Sequence, residues 1–279
     1  MQTLLGLPSP VPGPEVLRAK WLTTALKTWV KLNIQLCDSI TPSYVRETSA
    51  FALFRMRVVT AVLDLSPKVV VDIGAGRQWH QHPALKQMAG FKLIGVDIDP
   101  EEMTKNHALD EQIVSDVTQS INLPPDCADL VTVRSGVEHF RDNGAFLRNL
   151  YFLLRPGGRA VMVFPNRFAP FAVLNRILPR RVAMLALRAL VPGSEGVLGF
   201  EAHYDRTSYT QFKKLAENSG FNVLNVSRSY YSSNYFRFFA PLYLFLLILD
   251  HLRYLTAIKS LASFYTFTLE KPEVKFDPH

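Results

Sequence analysis

Cysteine is nearly missing from this chain. Cys37 and Cys127 are the only two in 279 residues, too few for a disulfide framework or a cysteine-rich zinc site. A reducing compartment suits such a composition, and a cytoplasmic location is the expectation. Long apolar runs are missing as well. No stretch of ~18 uncharged apolar residues occurs, so no clear membrane-spanning helix is expected. Pro8, Pro10, Pro12 and Pro14 interrupt the start of the chain, where a secretory leader would need an unbroken apolar centre. Acidic side chains are absent from one long segment: Asn143 to Ser194 holds eight arginines, no lysine and no acid. The formal charge of +7 is therefore local, and an anionic partner would be met at that segment. What remains is ordinary for a folded domain. With 48% hydrophobic and 20% charged residues, the chain can bury a core and is not a disordered one.

The proline-rich start reads as an extended arm. Two helical patterns follow, Glu15–Leu36 and Glu47–Leu65. The second repeats Phe51, Phe54, Val58, Val59 and Val62 at three- and four-residue spacings, an apolar stripe that needs a core to cover it. Ser66-Pro67 stops it. Short apolar runs then alternate with helical stretches: Val69–Val71, Lys92–Val96, Ile113–Val114, Leu130–Val133 and Arg159–Phe164. Such alternation predicts βαβ units around a buried parallel sheet, with Arg155–Gly158 as a tight turn into the fifth strand. A helix over Thr207–Ser219, closed by Gly220, and strands over Phe221–Val226 and Phe264–Leu269 complete the pattern. Hydrophobic insertions interrupt it at residues 167–200 and 230–262. The expected organisation is an N-terminal arm with helices, residues 1–66, followed by the α/β unit, residues 67–279.

The most informative stretch is VVVDIGAGRQWH, which carries Asp72, Gly74 and Gly76. Glycines just past a buried strand let the backbone turn sharply and let a ligand approach without a Cβ in the way. Asp97, 21 residues beyond Gly76, ends the next strand, where a carboxylate can accept both hydroxyl hydrogens of a ribose. Asp116 ends the third, within reach of the exocyclic amino group of a purine. Three acids at the carboxyl ends of successive parallel strands point into one crevice. A nicotinamide dinucleotide fits less well, because G-x-G-x-x-G/A meets Trp79 at its last position, where an indole would obstruct close packing of helix on strand. No G-K-[ST] follows either. A nucleoside without phosphates is the expected ligand.

At these motifs the chain resembles the class I S-adenosylmethionine-dependent methyltransferases. The resemblance covers roughly Val69–Leu269 and rests on DIGAG at Asp72–Gly76, GVDID at Gly95–Asp99, SDV at Ser115–Val117, DLVTVRSGVEHF at Asp129–Phe140 and LLRPGG at Leu153–Gly158. It implies a Rossmann-like α/β fold: a seven-stranded, mostly parallel sheet with the last strand antiparallel, an N-terminal helical extension and a helical lid from the insertions. It implies an enzyme that uses S-adenosylmethionine. By that likeness Gly74 and Gly76 border the methionine part of the cofactor and Asp72 lies near its amino group. Asp97 would hold the ribose, Ile98 would lie beside the adenine, Asp116 would meet the adenine amino group, and Val117 and Ser135 join the lining. The family's usual third glycine is replaced by Gln78. Some quinone O-methyltransferases of the family carry a metal-binding acid where this chain has Ser135, so no metal is expected.

Two histidines are candidates for chemistry. Methyl transfer from a sulfonium is an in-line displacement in which positioning supplies much of the acceleration, and a hydroxyl acceptor also needs a base. His139, in VEHF after the fourth strand, either serves as that base or packs against the sheet. His203, in GFEAHYDR, is either a second base or a loop histidine bonded to backbone. The insertions carry apolar runs, Phe238–Leu249 being twelve uncharged positions broken by Pro241, about 18 Å as a helix and short of the ~30 Å hydrocarbon core. They form a lid, a homodimer contact, or a basic-apolar surface resting on an anionic membrane, with a small apolar or lipid-linked acceptor in the last case. Nucleic acid is not expected, since the arginines are embedded among aliphatic residues. The competing readings are a methyltransferase-like binding protein without turnover and, third, an oxidoreductase.

Overall fold

The computed structural model describes residues 14–179, 181–183, 185 and 200–273. The arm before Pro14, Arg180, and most of the helix expected over Arg181–Val191, Arg188 included, lie outside the described residues. Three helices come first: α1 (Pro14–Ile40), α2 (Ser43–Glu47) and α3 (Ala50–Leu65). The single helix expected over Glu47–Leu65 is divided. Ser49 takes an extended backbone and its side chain accepts a hydrogen bond from the Ala52 amide, starting α3 afresh; such an N-cap is worth about 1 kcal/mol.

Strands β1 (Val69–Ile73), β2 (Lys92–Asp97), β3 (Glu111–Val114), β4 (Ala128–Arg134) and β5 (Leu154–Pro165) pair in parallel; the last strand, β7 (Phe264–Glu270), is antiparallel to β5, and β6 (Asn222–Ser229) pairs antiparallel with β7 and so runs with the first five. The order is β3-β2-β1-β4-β5-β7-β6. β3 begins two residues earlier than its apolar pair suggests, because it is an edge strand whose residues alternate in burial and include Glu111 and Gln112. The Arg155–Gly158 turn is a bulge inside β5 instead of a lead-in. Leu154 already pairs with Ala128, and Arg159 with Leu130.

Helices α4 (Pro83–Ala89), α5 (Pro100–Met103), α6 (Asn143–Leu153), α7 (Pro170–Ile177), α8 (Tyr209–Asn218) and α9 (Ala240–Thr256) fill the connections. Pro241 lies in the first turn of α9 and does not break it, since that position needs no backbone N–H. The stripe Phe54, Val58, Ala61 and Val62 of α3 covers one sheet face, packing on Val70, Leu130, Val161 and Val163. Phe146, Leu147 and Leu150 of α6 with Phe212 of α8 cover the other. The second insertion packs on the N-terminal helix. Tyr243 and Leu247 of α9 share a small core with Cys37 of α1 and with Val45, and the Tyr243 hydroxyl meets that of Thr41 at 2.5 Å.

Candidate active site

The order of strands reverses between β1 and β4, and open α/β sheets bind ligands at the carboxyl ends of strands beside such a reversal. The β1 chain turns there through Gly74 (φ 69°) and Gly76 (φ 45°), and an added Cβ at Gly74 would meet nothing within 4 Å, so open space adjoins the loop. Only glycine adopts both conformations without strain. The loop is pinned to the neighbouring strand: the Gly74 amide donates to the Val96 carbonyl at 2.8 Å and the Gly76 amide to Asp97 Oδ2 at 2.9 Å. Asp97 Oδ1 accepts from the Asp99 amide at 3.0 Å. Each carboxylate oxygen keeps a lone pair for a second donor. Ile98 beside it is an apolar side chain 52% exposed. Asp116 is held by the Thr118 amide and hydroxyl and by Gln119, while the side chain of Val117 lies in the core and its carbonyl accepts from Asn149 at 2.9 Å.

Trp79 does not obstruct anything. The loop runs on to Pro83 before α4 begins, and the indole is buried edge-on to Phe91 at 5.7 Å.

Asp72, Thr132 and Arg134 share one face of β1 and β4. Thr132 donates to Asp72 at 2.6 Å. Burial pushes the Asp72 carboxyl up to about 7, against the pull of the Thr132 hydrogen bond and the Arg134 charge. Arg134 reaches His80, whose ring nitrogens lie 2.8 and 3.0 Å from its Nη1. His80 is held down to about 4, first by burial and then by the Arg134 and Arg55 charges. Both lie inside motifs read from the sequence, Arg134 in DLVTVRSGVEHF and His80 at the end of VVVDIGAGRQWH, but those motifs give neither of them a role. Ser135, next along, has a left-handed backbone (φ 54°), a costly state for a residue with a Cβ and one that gathers at functional sites.

The two histidine candidates come together. The turn Val137–His139 follows β4, and the Glu138 carbonyl accepts from the amides of both His203 and Tyr204, at 2.8 and 3.0 Å. His139 Nδ1 lies 3.1 Å from the Glu201 carbonyl, so that nitrogen carries the proton and Nε2 keeps a free lone pair. Burial is the main cause that lowers the His139 pKa. Beside them Glu138 is buried with Oε2 unpartnered, and desolvation pushes its carboxyl up to about 8. The sequence points to its neighbour in the Glu-His pair, His139; the burial that makes Glu138 unusual leaves no local signature.

A family model described as a methyltransferase domain matches residues 46–226, most of the chain and every crevice element just described. The chain belongs to this methyltransferase family. It is 25% identical over 151 residues to the demethylmenaquinone methyltransferase of Thermus thermophilus, a match covering 51% of this chain and 68% of that one. It is 30% identical over 105 residues to the norajmaline N-methyltransferase of Rauvolfia serpentina, covering 35% and 36%. A solved S-adenosylmethionine-dependent methyltransferase of Mesorhizobium loti superposes with a TM-score of 0.50 at 16% identity, over 78% of this chain and 97% of that one; the likeness is one of fold. The class I fold, the enzymatic class and S-adenosylmethionine as methyl donor stand as the motifs implied. The residues fit this donor. A nucleoside needs a ribose-binding carboxylate, an apolar flank and a loop without Cβ atoms, and Asp97, Ile98 and Gly74 are placed to supply them.

Proposed function

We propose that this methyltransferase acts on an apolar, lipid-like acceptor drawn from a membrane surface. One observation carries the reading: two helices that pack on each other both turn apolar faces to solvent. Val30 and Cys37 form the covered seam of α1, while Trp21 (68% exposed), Trp29, Leu32, Leu36 and Ile40 lie outside. On α9 the covered seam is Ala240, Tyr243 and Leu247, and Leu244, Phe245, Ile248, Leu252 and Leu255 are exposed. Soluble surfaces scatter such residues; a contiguous apolar patch marks contact with a membrane or a partner. Lys27 and Lys31 of α1 and Lys259, just past the end of α9, are exposed basic residues, as suits anionic headgroups. The turn Ser233–Phe236 joins this pair to the crevice. It packs on α9, and its Tyr235 stacks on Phe171 at 4.3 Å.

In the crevice, Asp97 with Ile98 would hold the adenosine end of the donor and Asp72 its ammonium, with Asp116 and the Val117 and Ser135 backbone along the rim. The bound donor supplies an electrophilic methyl group. The chain aligns the acceptor with it and excludes water. For a hydroxyl acceptor, Nε2 of His139 takes the proton as the new bond forms, with His203 beside it.

The test is a partition experiment. Donor labelled in its methyl group is incubated with enzyme and a whole-cell extract separated into organic and aqueous fractions. Label is expected in the organic fraction; label confined to a water-soluble product would overturn the acceptor class.

A further inference from the structure

Among the described residues Arg134 makes no ion pair. It ends β4, half-buried. Its guanidinium stacks 4.2 Å over the Phe51 ring and its Nη1 faces His80, which is neutral and cannot balance the charge. Arg55 adds a second positive charge nearby. Asp72, on the same face one pair of residues back, is already engaged by Thr132. An arginine taken out of water at this cost normally has an anionic partner, and a carboxylate fits its planar fork in two parallel hydrogen bonds. Asp72 and Glu138 favour its charge from a distance, but burial pushes both carboxyls up, to about 7 and about 8, which leaves room for an anion from a ligand in the crevice.

We propose that Arg134, seated by His80 and Phe51, receives the α-carboxylate of the methionyl end of S-adenosylmethionine. The assignment rests on the donor lying in this crevice as described above. Asp72 and Arg134 then form a pair of opposite signs for a zwitterion. Asp72 faces the ammonium, Arg134 faces the carboxylate, and the adenosine lies the other way, over Asp97. His80 and Phe51 are positioning residues: they hold the guanidinium flat and present its free edge.

Two ligands separate this end of the site from the rest. S-adenosylhomocysteine has the amino-acid end; 5′-methylthioadenosine has the same adenosine without it. By calorimetry, Arg134→Met is expected to weaken the first by about 10- to 100-fold, the range for a charge-assisted hydrogen-bonded pair, and the second less than twofold. Arg134→Lys, which keeps the charge and loses the fork, should fall between and serves if the methionine variant does not fold. Equal losses for both ligands would mean a structural role and overturn the inference. So would unchanged S-adenosylhomocysteine binding with a raised KM for the acceptor, which would make Arg134 an acceptor contact. Asp97→Ala is the control on the crevice itself. If it weakens both ligands while Arg134→Met weakens neither, only the carboxylate assignment falls. If neither variant changes either affinity, the crevice reading falls with it.

Discussion

His139 shows how one side chain acquires a role from its partners. A histidine in a VEHF run is ambiguous, because the same residue can brace a turn or move a proton. The Glu201 carbonyl at 3.1 Å from Nδ1 fixes the tautomer, and burial keeps the ring neutral, so the free nitrogen is a base at neutral pH. His139→Gln is expected to lower turnover by ~10²–10⁴-fold with donor affinity near parental, the usual worth of a positioned base. His203 shares the Glu138 carbonyl only through its backbone, so His203→Gln should cost less. A loss below threefold in both, in single-turnover assays, would show that the acceptor needs no base in this site.

At the scale of elements, the helices α1 and α9 are the unusual pair. Each has one seam buried against the other and a second apolar face in solvent, whereas a helix on a soluble domain normally has one such face. The seam is specific. Tyr243 meets Thr41, Asn33 Oδ1 accepts from the Ala240 amide at 2.9 Å, and Asp250 accepts from the Ser232 and Ser233 amides, tying α9 to the turn before it. The outer-face residues Leu32 and Ile248 are exposed and their side chains have no hydrogen-bonding atoms. Leu32→Gln with Ile248→Gln should therefore change stability little, within about 0.5 kcal/mol per site, yet weaken flotation with anionic phosphatidylglycerol vesicles. Neutral phosphatidylcholine vesicles and high salt should both reduce the parental binding, as screening of the basic residues requires. Unchanged flotation, or monodisperse protein that binds neither vesicle, would return these faces to a dimer contact, which sedimentation velocity would then detect.

The whole molecule carries an electrostatic cost at its crevice. Asp72 and Glu138 both titrate above their ordinary values, at about 7 and about 8, because burial disfavours their charged forms. The folded chain keeps protons that the unfolded chain has already lost, so each group subtracts stability as pH rises, until its folded value is passed. His80 and His139 act the other way, but only below about pH 6.5, where the unfolded chain would gain their protons. From pH 6.5 to 8 the carboxyls dominate. The melting temperature of the ligand-free protein should fall across that interval, and Glu138→Gln should flatten the fall above pH 7. Parallel curves for parent and variant would mean that Glu138 is not the group being titrated.

Much of this was legible in the chain itself, for a local reason. Strands buried on both faces must be continuous apolar runs, the loop after β1 must be glycine where φ is positive, and acids that end successive strands appear at fixed spacings. Those constraints act within a few residues, so the α/β order, the Gly74–Gly76 loop and Asp97 could be read without coordinates. Cooperative packing decided the rest. Ser49 restarts a helix that periodicity alone would run through, β3 takes in Glu111 because an edge strand tolerates charge, and Arg155–Gly158 becomes a bulge because Leu154 already has a partner in β4. Arg134 and His80 are 54 residues apart, and Thr41 and Tyr243 are 202 apart. An arginine at a strand end reads as a solvated charge, and an apolar helix as one that will be covered. Whether a charge is stripped of water, or a face left in it, depends on what the distant chain brings alongside, and that is settled only when the sheet and its helices close.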